Sequence, residues 1–339
     1  WTLQLLAQYK VFGHAIVGII DPTLQQYTHL GDAGSQTDGR VYDPKLGEHE
    51  SKGDYSGNPD DRWAFTTDLP ANDLSMAGAL AGASRALRQS DPKLAGEALA
   101  AAKGLWQAQR AKLGRNADAG DGRGSPGRLP LADAEATIEL LMATNGDPLY
   151  RDRLEQLVPA IEQNFDWVAS DAVLAIPFMG ADYKAQLVPA VRALKQRADA
   201  QRTKNPFGVP IGEGSWAGSH EVATFASTMY LLHRAFPEIV GIQYTLDAID
   251  YLLGRHPANN LSLVSTVGTQ SKLIGYGHNR ADYSFLAGGL VPGVLIVKPD
   301  FPELRTQWPF LWFENEYTVS TTSAYILAAN AAIAATKER

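Results

Sequence analysis

The sequence predicts an all-α fold in which helical hairpins pack around a common axis. Apolar residues recur at helical spacing in about nine separate segments. Many of these segments are rich in alanine, which lets helices pair closely. Asp–Pro pairs also stand where helices are expected to begin. We predict a single domain over residues 1–339, because an all-helical barrel of this length can share one core.

The predicted helices are those of residues 1–10, 73–87, 93–109, 131–146, 149–165, 187–198, 222–233, 242–253 and 319–335. Asp91-Pro92 places an N-cap and a first-turn proline before the third helix, and Asp147-Pro148 does the same before the fifth. Gly254 and Pro257 end the eighth helix, in the sequence YLLGRHP.

Three long connections separate these helices, at residues 31–61, 114–129 and 257–309. Connections of this length in a compact domain are more often functional than idle. The first helix begins at once, with no initiator methionine, cap or targeting segment. We therefore expect the chain to start inside a domain.

Charge and composition exclude several classes of function. The formal net charge is -7 and no long Lys/Arg run is present, which argues against nucleic acid or an anionic membrane as the main partner. No apolar run approaches the roughly 20 residues needed to cross a bilayer. The chain has no cysteine, so neither disulfides nor thiolate chemistry contribute. A neutral or cationic ligand is favoured.

The segment GYGHNRADYS gathers polar side chains within a few positions. His278, Asn279 and Arg280 offer hydrogen-bonding groups suited to hydroxyls. The alternative is an ordinary exposed polar loop, which is common in proteins.

The closing segment places Glu314 and Glu316 among Trp308, Trp312 and Tyr317. A glutamic acid among aromatic rings loses hydration, which raises its pKa and suits it to act as a general acid. Aromatic rings beside polar groups are also typical of sugar binding. The alternative is that both carboxylates interact with the positive end of the helix that follows.

The motifs YLLGRHP, HNRAD, GGLVPGV and ENEYTVSTTSAYILAA occur in an order that resembles the C-terminal half of glycoside hydrolase family nine. Upstream, AGALAGASRAL and ADAEATIELLMATNGDPLY resemble two further helices of that family, so the resemblance spans nearly the whole chain. It implies an inverting cellulase that cleaves β-1,4-linked glucan, either cellulose or cello-oligosaccharides. It also implies an (α/α)6 barrel, here lacking its first helices.

The resemblance also implies roles for single residues. Glu316 falls on the family's general acid, and Glu314 is the fallback. His278 and Arg280 fall on residues that hold the substrate next to the scissile bond, while Asn279 replaces a second histidine. The sugar-stacking candidates are the aromatic residues Trp216, Trp308, Trp312 and Tyr317.

The catalytic base is expected to lie upstream of Trp1. In the family, the Asp that activates water precedes the helix that WTLQLL resembles. The sequence GDAG, residues 31–34, follows that helix and is assigned no base role. The polypeptide taken alone would then lack a base, and its own turnover stays open.

No cofactor is required by this reading. Some family members carry structural calcium, and Asp54, Asn58, Asp60 and Asp61 offer oxygen ligands, although a solvated acidic loop is the favoured interpretation. The resemblance further implies secretion or a periplasmic location, the missing N-terminal part of the same protein as a partner, and in some members an Ig-like module.

Two alternative functions remain at this point. One is an exo-β-glucosaminidase that acts on chitosan oligomers, which the acidic balance and the unusual HNRAD segment favour. The other is a non-catalytic carbohydrate-binding protein, which the missing base raises.

Overall fold

The computed structural model describes residues 2–16, 19–20, 63–64, 69–113, 128–204, 208–210, 218–255, 260–272, 286–291 and 319–337. These residues form two compact units that divide between Val188 and Pro189. The single domain over residues 1–339 stays a prediction.

Helices dominate both units. They are α1 Thr2–Phe12, α2 Pro70–Leu87, α3 Pro92–Leu113, α4 Arg128–Ala143, α5 Pro148–Gln163, α6 Phe165–Leu174, α7 Ile176–Met179, α8 Ala181–Arg202, α9 Gly218–Ala235, α10 Gln243–Leu252 and α11 Val319–Lys337. Each predicted helical segment contains a helix, although α4 ends at Ala143 and residues 144–146, predicted as helical, form a turn. Helices α6 and α7 were not predicted. Arg128 and Leu129 belong to α4 rather than to the predicted connection 114–129.

Two short strand pairs complete the described structure. Strand β1, Ile19–Ile20, pairs antiparallel with β2, Trp63–Ala64. Strand β3, Leu261–Ser262, pairs in parallel with β4, Gln270–Ser271. The second pair lies within the predicted connection 257–309, so part of that connection is ordered by backbone hydrogen bonds.

The predicted helix caps are confirmed. Asp147 accepts a hydrogen bond from the backbone N–H of Leu149 at 3.0 Å. Asp91 accepts one from the backbone N–H of Leu94 at 3.0 Å. Each carboxylate satisfies a backbone donor that the first turn of a helix leaves without a partner.

In the first unit, α2 and α4 meet at small residues. A Cβ atom added at Gly78 would lie 3.4 Å from the Cα atom of Ala136. The neighbouring Ala77 and Ala81 of α2 are completely buried. Alanine and glycine therefore set the distance between these two helices, as the alanine-rich sequence predicted.

A buried carboxylate joins α3, α4 and α5. Asp133 accepts hydrogen bonds from Arg153 Nε at 3.1 Å and Nη2 at 2.5 Å, and from Thr137 Oγ1 at 3.2 Å. Arg110 Nη1 lies 3.4 Å from the same carboxylate. Trp106 Nε1 donates to Thr137 Oγ1 at 3.1 Å. Because removing either partner of a buried ion pair is costly, this network fixes the three helices against one another.

In the second unit, α9, α10 and α11 share a hydrophobic core. The buried members include Val222 on α9, Leu252 on α10 and Ala328 on α11, together with Leu263 and Leu290 from the segments around β3. These two segments thus pack on the helices rather than over the surface.

Gly254 ends α10 as predicted, with a backbone φ of +102°. Its N–H donates to the carbonyl of Tyr251 at 3.1 Å. A Cβ atom at this position would lie 2.7 Å from the carbonyl oxygen of Asn260 and 3.0 Å from the backbone nitrogen of Ser262. Only glycine tolerates both this backbone conformation and this close approach.

Replacing Gly254 with alanine should therefore destabilise the protein. We expect Gly254→Ala to lower the free energy of unfolding by about 2 kcal/mol or more, from backbone strain and steric clash. Denaturant unfolding measures this change. The matched control is Gly96→Ala on α3, where an added Cβ meets nothing within 4 Å and alanine should stabilise the helix. Equal stability of both variants would contradict the account.

Candidate functional site

An open groove of about 400 Å³ lies in the first unit between α2, α4 and α6. One face of α2 lines it with small residues, and α4 and α6 contribute carboxyl groups. The lining residues are Ser75, Gly78, Ala79, Gly82, Ala83, Glu135, Glu139 and Asp171. Their spacing of three and four positions along α2 and α4 shows that each helix presents one continuous face to the groove.

The small residues leave room for the acidic side chains. A Cβ atom at Gly82 would lie 3.4 Å from Glu139 Oε2, in close contact with that carboxylate. Arg85 Nε lies 3.2 Å from the same oxygen. Arg85 thus brings one positive charge against the three carboxyl groups of the groove.

Burial changes the protonation of these acids. Loss of hydration, with a smaller effect of the Asp171 charge, raises the pKa of Glu135 to about 7. Burial also raises the pKa of Glu139, although Arg85 opposes the shift. The pKa of Asp171 is raised by burial against the opposing hydrogen bonds from its own backbone and from Ser170. The groove therefore retains protons on carboxyl groups at pH values where exposed acids are ionised.

This arrangement provides both kinds of hydrogen-bonding partner. A protonated carboxyl group donates one hydrogen bond and accepts others, whereas an ionised one only accepts. Hydroxyl groups, which both donate and accept, match such a surface. A cationic group is attracted at pH values where at least two of the three carboxyl groups are ionised, because Arg85 offsets only one negative charge.

Trp167 stands on the solvent-facing side of α6, with 80 % of its surface exposed. It lies one helical turn before Asp171, so both residues belong to the same face of α6. An exposed aromatic ring provides an apolar face on which a ligand can stack. The sequence analysis missed this residue because it did not predict α6.

The site residues predicted from the sequence lie outside the described residues. They are Glu314, Glu316, Trp308, Trp312 and Tyr317 of the closing segment, His278, Asn279 and Arg280 of the segment GYGHNRADYS, and Trp216, which comes before α9 in sequence. The predicted calcium ligands Asp54, Asn58, Asp60 and Asp61 also lie outside them. Their roles stay predictions. The structure does describe both flanks of the segment that carries His278 and Arg280.

Among the residues that the structure describes, no cluster of three or more His, Asp or Glu side chains is arranged to hold a metal ion. No helix in that part of the chain is both long and apolar enough to cross a membrane.

The family model described as glycosyl hydrolase family 9 matches residues 25–296, which is most of the chain. None of the curated proteins compared with the chain matches it.

Solved structures resemble the chain at low sequence identity. The cellulase Cel9M of C. cellulolyticum is 19 % identical with a TM-score of 0.64, covering 83 % of this chain and 68 % of its own. An endoglucanase from the termite Nasutitermes takasagoensis is 20 % identical with a TM-score of 0.61, covering 83 % of this chain and 70 % of its own. Together with the family match, this likeness confirms the predicted fold class, the (α/α)6 barrel.

Glu135 should make stability depend on pH. Because its pKa is about 7 in the folded protein, against an ordinary value of 4.5, its ionisation opposes folding, and stability falls as pH rises from about 4.5 to 7. We expect Glu135→Gln to gain roughly 2 kcal/mol relative to the unchanged protein between pH 5 and pH 8, allowing for partial solvent contact. Denaturant unfolding at both pH values measures this gain. Glu155→Gln, at an exposed position of α5, is the control, and an equal gain there would contradict the prediction.

Proposed function

Because the chain belongs to glycosyl hydrolase family 9 and is therefore a glycoside hydrolase of the cellulase type, we propose that it cleaves β-1,4-linked glucan with inversion. The substrate is cellulose or a cello-oligosaccharide. The observation that carries this proposal is the family match over residues 25–296. The similar solved proteins, a cellulase and an endoglucanase, support the substrate class.

The reaction requires two carboxyl groups on opposite sides of the scissile bond. One protonates the departing glycosidic oxygen while the other removes a proton from the attacking water, at a separation of roughly 6.5–9.5 Å in inverting enzymes. Glu316 is the proposed acid rather than Glu314, because motif order places it on the family's general acid, whereas the aromatic neighbours in sequence would raise the pKa of either residue. This chemistry uses no metal or cofactor.

Substrate binding is assigned to side chains that suit sugars. His278, Asn279 and Arg280 bind hydroxyl groups near the cleavage point, and Trp216 stacks on a sugar ring together with the aromatic residues around Glu316. The latter residues are Trp308, Trp312 and Tyr317. Among the described residues, the exposed indole of Trp167, one helical turn before the groove-lining Asp171 on α6, offers a further stacking surface.

Removing the acid should abolish most turnover and leave binding. We expect Glu316→Gln in the intact protein to lower kcat on a cello-oligosaccharide by about 10²–10⁴, because the leaving oxygen loses its proton donor. Binding of the same oligosaccharide, followed by calorimetry, should change little. Glu314→Gln is the matched control two residues away and should keep most activity. If Glu314→Gln instead lost turnover and Glu316→Gln kept it, Glu314 would be the acid. Near-normal turnover in both variants would contradict the assignment of the acid to this segment.

Trp167 should contribute to binding rather than to chemistry. We expect Trp167→Ala to raise KM for longer cello-oligosaccharides by about tenfold with little change in kcat, because a lost stacking contact is worth on the order of 1–2 kcal/mol. The same substitution should leave the melting temperature nearly unchanged, since the ring is 80 % exposed. A large loss of stability with unaltered KM would show that the indole is structural.

A second candidate is an exo-β-glucosaminidase acting on chitosan oligomers. The observation that favours it is charge: three carboxyl groups line the groove against Arg85, and the whole chain has a net charge of -7. Glucosamine units carry ammonium groups that such a surface attracts. Comparing hydrolysis of cello-oligosaccharides and chitosan oligomers of equal length separates the two candidates.

Polymeric substrates also bear on location. Cellulose and chitosan do not enter cells intact, which favours a secreted or periplasmic enzyme. A solvated acidic loop stays the favoured interpretation of the segment that carries Asp54 and Asp61, and metal analysis tests it against structural calcium.

A further inference from the structure

Ser265 lies in the second unit, in the buried turn that follows β3, and it is completely inaccessible to solvent. It is neither catalytic nor near the chain positions assigned to catalysis. Its importance comes from three hydrogen bonds to residues that flank positions 273–285, the segment that carries His278 and Arg280.

Each polar group of Ser265 bonds to one of these flanks. Its Oγ donates to the carbonyl of Lys272 at 2.8 Å. Its backbone N–H donates to the carbonyl of Gly289 at 3.0 Å, and its own carbonyl accepts from the N–H of Gly288 at 2.8 Å. Lys272 immediately precedes the segment and Gly288 follows it closely. One residue therefore ties together both flanks.

The surroundings of Ser265 are rigid. Val264 bridges to Leu290, and the N–H of Val291 donates to the carbonyl of Leu263 at 2.9 Å. Leu263, Val264 and Leu290 belong to the core that α9, α10 and α11 share. The flanks are thus held against a close-packed interior, which transmits small displacements instead of absorbing them.

Ser219 extends this connection to the start of α9. Its Oγ donates to the carbonyl of Val291 at 2.9 Å, and both residues are buried. The flank that Ser265 holds is therefore also tied to the helix that directly follows Trp216. One hydrogen-bonded cluster therefore joins the start of α9, which follows Trp216 in sequence, and both flanks of the segment that carries His278.

We propose that Ser265 is a positioning residue for substrate binding, because it fixes the direction in which the chain leaves Lys272, at the start of the segment that carries His278 and Arg280 in sequence. This inference rests on the proposed function. The bond from Oγ to the Lys272 carbonyl is the element that a side-chain substitution removes without altering the backbone bonds. Since misplacing a binding group by about 1 Å can cost up to 10²-fold in rate, the loss of this bond should reach the active site.

Ser262 provides a matched control. It is equally buried and lies three residues earlier. Its Oγ accepts from the N–H of Val264 at 3.1 Å and lies 3.2 Å and 3.4 Å from the carbonyls of Val264 and Leu252, so these contacts stay outside the flanks of 273–285. Removing either hydroxyl should cost similar stability, but only Ser265 should affect the substrate.

The experiment compares Ser265→Ala and Ser262→Ala in the intact protein, using hydrolysis of a cello-oligosaccharide and the melting temperature. We expect Ser265→Ala to lower kcat/KM by about tenfold, mainly through KM, and Ser262→Ala to leave kcat/KM within about twofold at a similar melting temperature. Ser265→Cys, which keeps the volume but weakens the donated bond, should give an intermediate loss and serves if the alanine variant does not fold.

A double substitution tests the route of the effect. If Ser265 acts through His278, the Ser265→Ala and His278→Ala losses should be markedly less than additive. Additive losses, or equal kcat/KM for Ser265→Ala and Ser262→Ala, would overturn the inference while leaving the proposed function intact. If the protein without any substitution did not hydrolyse cello-oligosaccharides, that result would instead overturn the proposed function, and this inference with it.

Discussion

Small side chains at the contact between α2 and α4 are the constraint on which the acid-lined groove depends. Gly78 lets α2 approach the backbone of Ala136, and Gly82 leaves space for the carboxylate of Glu139. Asp133, which lies two residues before Glu135, sets the rotation of α4. Because two residues turn a helix by about 200°, the Asp133 contacts with α3 and α5 direct Glu135 and Glu139 to the opposite side, into the groove.

In the second unit, too, a glycine lets two parts of the backbone approach closely, and backbone hydrogen bonds then hold them. Gly254 ends α10 and admits the chain of Asn260 to Ser262 at a distance that no other residue allows. The turn after β3 then holds both flanks of the segment to which substrate binding is assigned. In both units, the positions of the polar side chains depend on the close approach of backbone segments that glycine allows.

Much of this architecture could be predicted from the sequence. Helical periodicity located the main helices, and the caps at Asp91 and Asp147 and the stop at Gly254 followed from local chemistry. Helix α6 was missed because the predicted fifth helix ran on to Phe165, whereas in the structure Asn164 separates α5 from α6 and donates its side-chain amide to the carbonyl of Ala160. The raised pKa values of Glu135, Glu139 and Asp171 depend on burial by helices distant in sequence, so no local sequence pattern predicts them. Glu316 and its aromatic neighbours rest on motif order alone.

The central claim is that this glycoside hydrolase inverts the anomeric carbon of a β-1,4-linked glucan. Proton NMR of the intact protein acting on a cello-oligosaccharide tests it most directly, because the anomeric signals of the first product appear before mutarotation mixes them. The account predicts that the α-anomer accumulates first, since water attacks the face opposite the departing oxygen. Initial accumulation of the β-anomer would contradict it.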